Sequence, residues 1–317
     1  MGKTVIGMIT SYQGLNQSDW LWQQTPQPFG IWKNIQMLKN APQLDFLLMY
    51  QYDFFEQPAE PKSWLKRWQK QPLGLKAAEL KGVSKQKTIY LMREPPLEEI
   101  LHKNQINYEA AKAHCGYISG PDEFAPTPAY MPAIWYHANS FRELNEMPAP
   151  EKTNSCSWIT SGINRTANHR QRLNFLHQLQ SAANGKVDIY GRNLPNSIQS
   201  QGELKNKWHS MAPYYYNLAI ENYTENEWYV SEKLWDSLLA WCLPIYYGGS
   251  AADRLLPPGS FLRLPSLDEK GVAYIHEVIR SPETWMQAKD AIAEARQIIL
   301  HKLNLLNWLS DFVEQFQ

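Results

Sequence analysis

Two short segments carry residue types that could do chemistry together. Tyr216-Asn217-Leu218-Ala219-Ile220-Glu221-Asn222 is an apolar run that stops at a carboxylate and an amide. Such a run reads as a buried strand, and ligands of parallel sheets bind beyond the strands' carboxyl ends. Glu221 and Asn222 are therefore expected over a ligand crevice. Nine residues after Asn222, Ser231-Glu232-Lys233 opens a helix. The first turn of a helix presents unpaired N–H groups and a partial positive charge. Glu232 suits that end. Lys233 does not, by about 0.3–1 kcal/mol at an exposed site. An anion docked in front of the helix would reverse that sign, and a diphosphate fits the helix end and the lysine together. The plain alternative is that Lys233 points sideways into solvent. Leu243-Pro244-Ile245-Tyr246-Tyr247 then reads as a strand ending in Gly248-Gly249, a turn open to close backbone approach.

The elements that must position these groups alternate along the chain. Apolar runs predict strands at Val5–Ile9, Leu44–Tyr50, Thr88–Met92, Cys115–Ser119, Ser157–Thr160, Val187–Tyr190, Tyr215–Ile220 and Leu243–Tyr247. Helical spacing predicts helices at Gly30–Leu38, near Ser63–Gln69, at Leu97–His102, His169–Ala182 and Glu232–Trp241, and over most of Pro282–Phe316. Gly120–Lys152 holds Pro121, Pro126, Pro128, Pro132, Pro148 and Pro150 and reads as a linker. Strand–helix alternation on both sides predicts an α/β fold of two Rossmann-like domains, residues 1–150 and 151–317.

Composition narrows the classes. The 317 residues are 44% hydrophobic, enough for a sizeable core. Lys+Arg and Asp+Glu both number 31, which argues against a nucleic-acid partner. Cys115, Cys156 and Cys242 form no disulfide framework and read as reduced thiols of a cytoplasmic protein. The start is too soon a strand for a signal peptide, and Ile6 stands where myristoylation wants Ser or Thr. No GxGxxG or GxxxxGK run exists, which disfavours a dehydrogenase or a P-loop enzyme. The histidines show no metal-ligand spacing, so no metal site is expected. The apolar stripe of Ile292–Phe316 is expected to pack on the domains; peripheral membrane contact is the lesser alternative, since its polar face lacks a basic excess.

In order and at suitable spacing, several runs resemble the signature of the α1,3-fucosyltransferases, glycosyltransferase family 10. They are Ser157-Trp158-Ile159-Thr160-Ser161, Arg172 with Leu179, Val187-Asp188-Ile189-Tyr190-Gly191-Arg192, Asn217–Asn222, Tyr229-Val230-Ser231-Glu232-Lys233-Leu234, Leu243–Gly248 and Pro257-Pro258-Gly259-Ser260-Phe261. The first half resembles the family only at Arg93-Glu94-Pro95-Pro96. The resemblance implies a GT-B architecture, two Rossmann-like domains facing across a cleft. The first would bind a glycan acceptor and the second a GDP-fucose donor. It implies inverting transfer to a hydroxyl, O3 by family, of a glycan containing galactose or N-acetylglucosamine. No further cofactor is implied, and no DxD metal motif occurs. Arg172 and Lys233 would meet the diphosphate, with Arg170 as the alternative to Arg172. Glu221, Asn222, Tyr229, Ser231, Glu232, Tyr190 and Gly191 would line the donor pocket. Ser231 stands for the usual Thr, Ile220 for a common Phe, and Trp228 for a small or acidic residue, which leaves a different nucleotide sugar open. A non-catalytic carbohydrate-binding protein is the other alternative.

Inverting transfer needs one general base to take the acceptor hydroxyl's proton. Glu94 is the candidate, after strand Thr88–Met92 and held by Pro95-Pro96. Glu98 and Glu99 are rivals in a helix's first turn, where acids are favoured anyway. Glu94 could instead pair with Arg93 or cap that helix.

Overall fold

The computed structural model describes residues 2–12, 18–39, 41–55, 80–182 and 187–316. The helix expected near Ser63–Gln69 lies outside them. The chain divides into two compact units, Met1–Met131 with Leu309–Gln317, and Pro132–Trp308. The expected boundary at 150/151 thus moves to Met131/Pro132, and the last residues join the first unit.

The first unit is built on a seven-stranded sheet in the order β2-β3-β1-β4-β5-β6-β7. Its strands are β1 (Thr4–Ile9), β2 (Ile31–Trp32), β3 (Ile35–Met37), β4 (Phe46–Tyr50), β5 (Thr88–Leu91), β6 (Tyr117–Gly120) and β7 (Thr127–Pro128). All pairs are parallel except β2 with β3. Every residue of β4 and β5 is buried, as a central parallel strand covered on both faces requires.

Two sequence expectations fail here for visible reasons. Gly30–Leu38 is a hairpin, not a helix. Lys33 turns the chain with φ of 45°, Gly30 enters with φ of 72°, and Ile35 and Met37 alternate inward. A Cβ on Gly30 would lie 2.7 Å from the Met37 carbonyl oxygen. The expected helix Leu97–His102 runs further, as α1 (Glu98–His114). Its buried face is partly polar, so apolar periodicity misses it. Asn107 Oδ1 accepts the Phe54 N–H at 2.9 Å, and the Tyr108 hydroxyl donates to Asp122 Oδ2 at 2.8 Å.

The second unit begins with α2 (Phe141–Glu146), whose N-terminus is a capping box between Ser140 and Glu143. Its five-stranded parallel sheet runs β12-β11-β10-β8-β9. The elements are β8 (Asn154–Ser161), α3 (Ala167–Ser181), β9 (Val187–Arg192), β10 (Tyr214–Ile220), α4 (Glu232–Leu239), β11 (Leu243–Tyr247), α5 (Ala251–Leu255), β12 (Leu262–Arg263), α6 (Glu269–Val278) and α7 (Glu283–Ile298). A π turn over Ile299–Leu303 leads into α8 (Leu305–Glu314).

The proline-rich stretch is no free linker from Pro132 onward. Ile134 and Trp135 are fully buried, and the Tyr136 N–H donates to Asp236 Oδ1 at 2.9 Å. The apolar stripe of the tail is buried in the fold at Ile299, Leu300, Leu303, Leu305, Leu306 and Leu309. Among the described residues no helix is long and apolar enough to cross a membrane. Cys115, Cys156 and Cys242 are free thiols, all buried.

His137 gives this unit an acid-sensitive point. It is buried, with its ring 5.3 Å from that of Trp208. Burial pushes the imidazole down to about 4, against the pull of Asp236. The unfolded chain takes a proton near pH 6.5, while the folded one waits until about 4. The unfolded state therefore binds more protons in that window, and stability falls as pH drops through it. The expected loss is about 3 kcal/mol. Urea unfolding at pH 7 and pH 4.5 checks this: the drop should be clearly smaller in His137→Gln.

Candidate active site

In the second unit the carboxyl ends of β8, β10 and β11 lie together, because the three strands are parallel neighbours. β10 runs out at Glu221, whose N–H still donates to the Tyr247 carbonyl at 2.8 Å. The Glu221 side chain is fully buried. Its Oε1 accepts the Ser231 N–H at 2.8 Å, and its Oε2 accepts the Ser231 hydroxyl at 2.6 Å. Lys233 Nζ lies 3.1 Å from the same Oε2 and 3.0 Å from Ser231 Oγ. Ser231 is also the N-cap of α4, accepting from the Lys233 N–H.

This geometry settles how a lysine sits in a helix's first turn. Lys233 does not point idly into solvent. It folds back onto a buried carboxylate and keeps 23% of its side chain exposed. Burial works against its charge, but Glu221 and Glu232 outweigh burial and hold its pKa above the usual lysine value. A raised lysine pKa stabilises fully below the unfolded value and loses that contribution only as pH rises through the folded one. The ion pair is therefore intact throughout neutral pH, up to about pH 10.

Glu221 differs from the expected pocket-lining role. Both its oxygens are taken by Ser231 and Lys233, and it exposes no side-chain surface. It braces the helix start and the lysine. Removing it would leave Lys233 and the Ser231 N–H without that acceptor. We expect Glu221→Ala to cost about 3 kcal/mol in urea unfolding. Ser231→Ala, which loses the cap and one hydrogen bond, should cost less, about 1 kcal/mol.

Arg172 comes from α3 and is buried to 5% exposure. Its Nη1 donates to Asn222 Oδ1, and its Nη2 lies 3.4 Å from Ser161 Oγ. Its Nε has no hydrogen-bond partner among the described residues. Burial lowers its pKa, against the pull of Tyr229 and Glu221. Arg170, two residues earlier, is exposed and donates to the Asn164 carbonyl at 3.3 Å. Register on α3 thus brings Arg172, not Arg170, to Asn222. Asn168 holds the same residue from the backbone side, donating to the Asn222 carbonyl at 2.8 Å. Tyr229 is buried against Tyr223 with ring centroids 6.4 Å apart.

Other expected members stand further from this group. The Tyr190 hydroxyl pairs with that of Tyr214 at 2.9 Å, at the opening end of β10, and its ring packs on Met211, Tyr214 and Cys242. Gly191 is needed for backbone approach, since a Cβ there would meet the Thr160 carbonyl oxygen at 1.7 Å. The Gly248-Gly249 turn is occupied from within the chain. Arg263 donates to the Gly248 carbonyl at 2.6 Å and to the Gly249 carbonyl at 2.9 Å. Glu232 is reached by Lys207 at 4.0 Å, and Lys207 also pairs with buried Asp236 at 2.9 Å. Ile220 is buried in the sheet, so its departure from the family pattern changes core packing. The sequence reading missed Ser161 as an Arg172 partner, Asn168 and Lys207. Lys207 has no local signal, since its partner Asp236 is 29 residues away.

In the first unit Glu94 follows β5 by three residues. Its Oε1 accepts the Tyr12 hydroxyl at 2.6 Å. It does not cap α1, whose N-cap is Leu97 with no side-chain cap bond. Arg93 turns its guanidinium to the Tyr50 hydroxyl. Glu98 and Glu99 lie exposed in the first turn of α1.

Residues 149–288 match the family model described as glycosyltransferase family 10 (fucosyltransferase) C-term. The chain is 32% identical over 112 residues to mouse alpha-(1,3)-fucosyltransferase 4, covering 34% of this chain and 24% of that protein. It is 29% identical over 139 residues to fruit-fly (Drosophila melanogaster) alpha-(1,3)-fucosyltransferase C, covering 43% of this chain and 31% of that protein. The match thus spans about a quarter to a third of the curated relatives' length. Among solved structures, an alpha-glucosyltransferase in complex with UDP and a 13-mer DNA superposes with a TM-score of 0.56. That likeness has 10% identity and covers 99% of both chains. Such neighbours are GT-B glycosyltransferases, and the two parallel-sheet units are of that fold. Residues 149–288, all within the second unit, are thus similar to the C-terminal part of the family 10 fucosyltransferases.

Proposed function

We propose that this protein transfers L-fucose from GDP-fucose, with inversion, to a hydroxyl of a glycan containing galactose or N-acetylglucosamine, O3 being the expected position. One observation supports this most: two hydrogen-bonded sets, Arg172 with Asn222 and Lys233 with Ser231 and Glu221, meet at the adjacent residues Glu221 and Asn222 beyond β10, inside the segment that matches family 10. Two cations and a helix N-terminus there suit a diphosphate. As the bond from the anomeric carbon to the phosphate oxygen breaks, charge grows on the leaving GDP, and these groups stabilise it. The acceptor oxygen attacks the same carbon and gives its proton to Glu94. Glu221 sets the lysine rather than touching the sugar. The acceptor is proposed from the family alone.

The test is turnover. Incubated with GDP-fucose carrying a labelled sugar and a panel of β-galactoside and N-acetylglucosamine acceptors, the protein should release GDP and label an acceptor. Release from a UDP- or CMP-sugar, with none from GDP-fucose, would overturn the donor assignment. Nucleotide binding without transfer from any donor would favour a carbohydrate-binding role.

A further inference from the structure

The loops that follow β1, β4 and β5 converge on Glu94. These strands are adjacent and parallel, so their carboxyl ends lie at one edge of the sheet. Tyr12 follows β1, Gln51 follows β4 and Glu94 follows β5. The Tyr12 hydroxyl donates to Glu94 Oε1 at 2.6 Å. Gln51 Oε1 accepts two backbone N–H groups, of Arg93 at 2.6 Å and of Glu94 at 3.1 Å. Asn104 supports the far side, donating to the Pro95 carbonyl at 3.3 Å.

Two features set this apart from ordinary loop packing. Gln51 holds a left-handed backbone, with φ of 47°, a conformation that costs a non-glycine residue energy and that a surrounding structure must impose. Its side chain then satisfies the two N–H groups that fix the Glu94 backbone. Tyr12 meets only one carboxylate oxygen. Among the described residues, Glu94 Oε2 takes no hydrogen bond, so it is left to accept a proton. Burial and the neighbouring carboxylate keep the Tyr12 phenol far above its ordinary pKa, so it stays a neutral donor.

We propose that Tyr12 and Gln51 are positioning residues that hold Glu94 in one orientation, with Oε2 presented to the acceptor hydroxyl. This rests on the reading of Glu94 as general base. A hydrogen bond from a neutral donor to a carboxylate restricts the rotamer and orients the reacting oxygen without taking part in the proton transfer.

The experiment compares wild type, Tyr12→Phe, Gln51→Ala, Glu94→Ala and the double variant Tyr12→Phe/Glu94→Ala in transfer from GDP-fucose, with GDP binding measured in each. Tyr12→Phe keeps the ring and removes only the donor. Its kcat should fall by roughly 10-fold or more, with the donor KM and the GDP Kd unchanged. Gln51→Ala should show the same split. In the Glu94→Ala background, Tyr12→Phe should change the residual rate no further. An unchanged kcat in Tyr12→Phe would overturn the inference while leaving Glu94 in place. So would a parallel loss of GDP binding, which marks a structural role, or a further equal loss in the double variant, which marks an independent one. A wild-type kcat in Glu94→Ala would instead remove the base itself.

Discussion

Glu94→Ala is expected to bind GDP as wild type does and to lose transfer by roughly 10²- to 10⁴-fold, the range of a positioned general base. The reason lies in where the residue sits. Glu94 stands in the first unit beyond β5, with its backbone fixed by Gln51 and one oxygen fixed by Tyr12. The group assigned to the diphosphate lies in the second unit, on β10, α3 and α4. The hydrogen bonds that hold that group come from residues of the second unit, so loss of Glu94 should act on kcat and spare nucleotide affinity. Steady-state kinetics with calorimetric titration of GDP separates the two. A Glu94→Gln variant refines the test: it keeps the shape and the Tyr12 partner but cannot take a proton, and should be as inactive. Transfer at the wild-type rate in either variant would move the base to another residue, Glu98 or Glu99 being the nearest.

The second large effect is expected on binding. Arg172→Ala should weaken GDP by about 1.5–3 kcal/mol, or roughly 10- to 150-fold, the worth of a charge-assisted hydrogen bond to a buried cation. Lys233→Ala should weaken it as much, but with a second consequence. It leaves the Glu221 carboxylate fully buried with Ser231 as its partner and no cation. Breaking a buried pair from one side costs about 3 kcal/mol. Lys233→Ala should therefore also unfold earlier in urea, whereas Arg172→Ala, whose partner Asn222 is neutral, should unfold closer to wild type. Titrating GDP well below either unfolding transition keeps affinity apart from stability. Equal GDP affinity in all three proteins would place the nucleotide elsewhere.

Much of the second unit was legible because its strands are near-continuous apolar runs closed by polar residues. Leu243–Tyr247 was read with its observed limits, and Glu232–Leu239 was read two residues too long. The pairing of Ser231 and Lys233 with Glu221 was not legible. A strand end and a helix start show their types and spacing, but the fold decides which carboxylate turns inward. Glu221 therefore read as a pocket residue, although its buried oxygens serve the lysine. Tyr190 enters the expected pocket through the resemblance alone, and its hydroxyl pairs with Tyr214 while its ring packs on the core. Arg170 and Arg172 could not be separated until α3 fixed which one faces Asn222.

The first unit was harder to read. Its hairpin at Ile31–Met37 has apolar residues that satisfy both a period of two and a period near 3.6, and only the left-handed Lys33 decides between them. The length of α1 was hidden by Asn104 and Asn107, polar residues that are buried because each has a backbone partner. Tyr12 and Gln51 carried no signal at all. Their meaning comes from three strand ends lying side by side, and Tyr12 is 82 residues from Glu94.

The group around Lys233 and Arg172 is proposed to bind a guanosine diphosphate sugar. Thermal unfolding of the wild-type protein with GDP, UDP and CMP, each at the same concentration, tests it most directly. A ligand that binds only the folded state raises Tm by mass action, by about 2.7 kcal/mol of stability at 100 times its Kd. GDP is expected to raise Tm, with UDP and CMP leaving it near the apo value and Arg172→Ala abolishing most of the GDP shift. A shift with UDP and none with GDP would contradict the account.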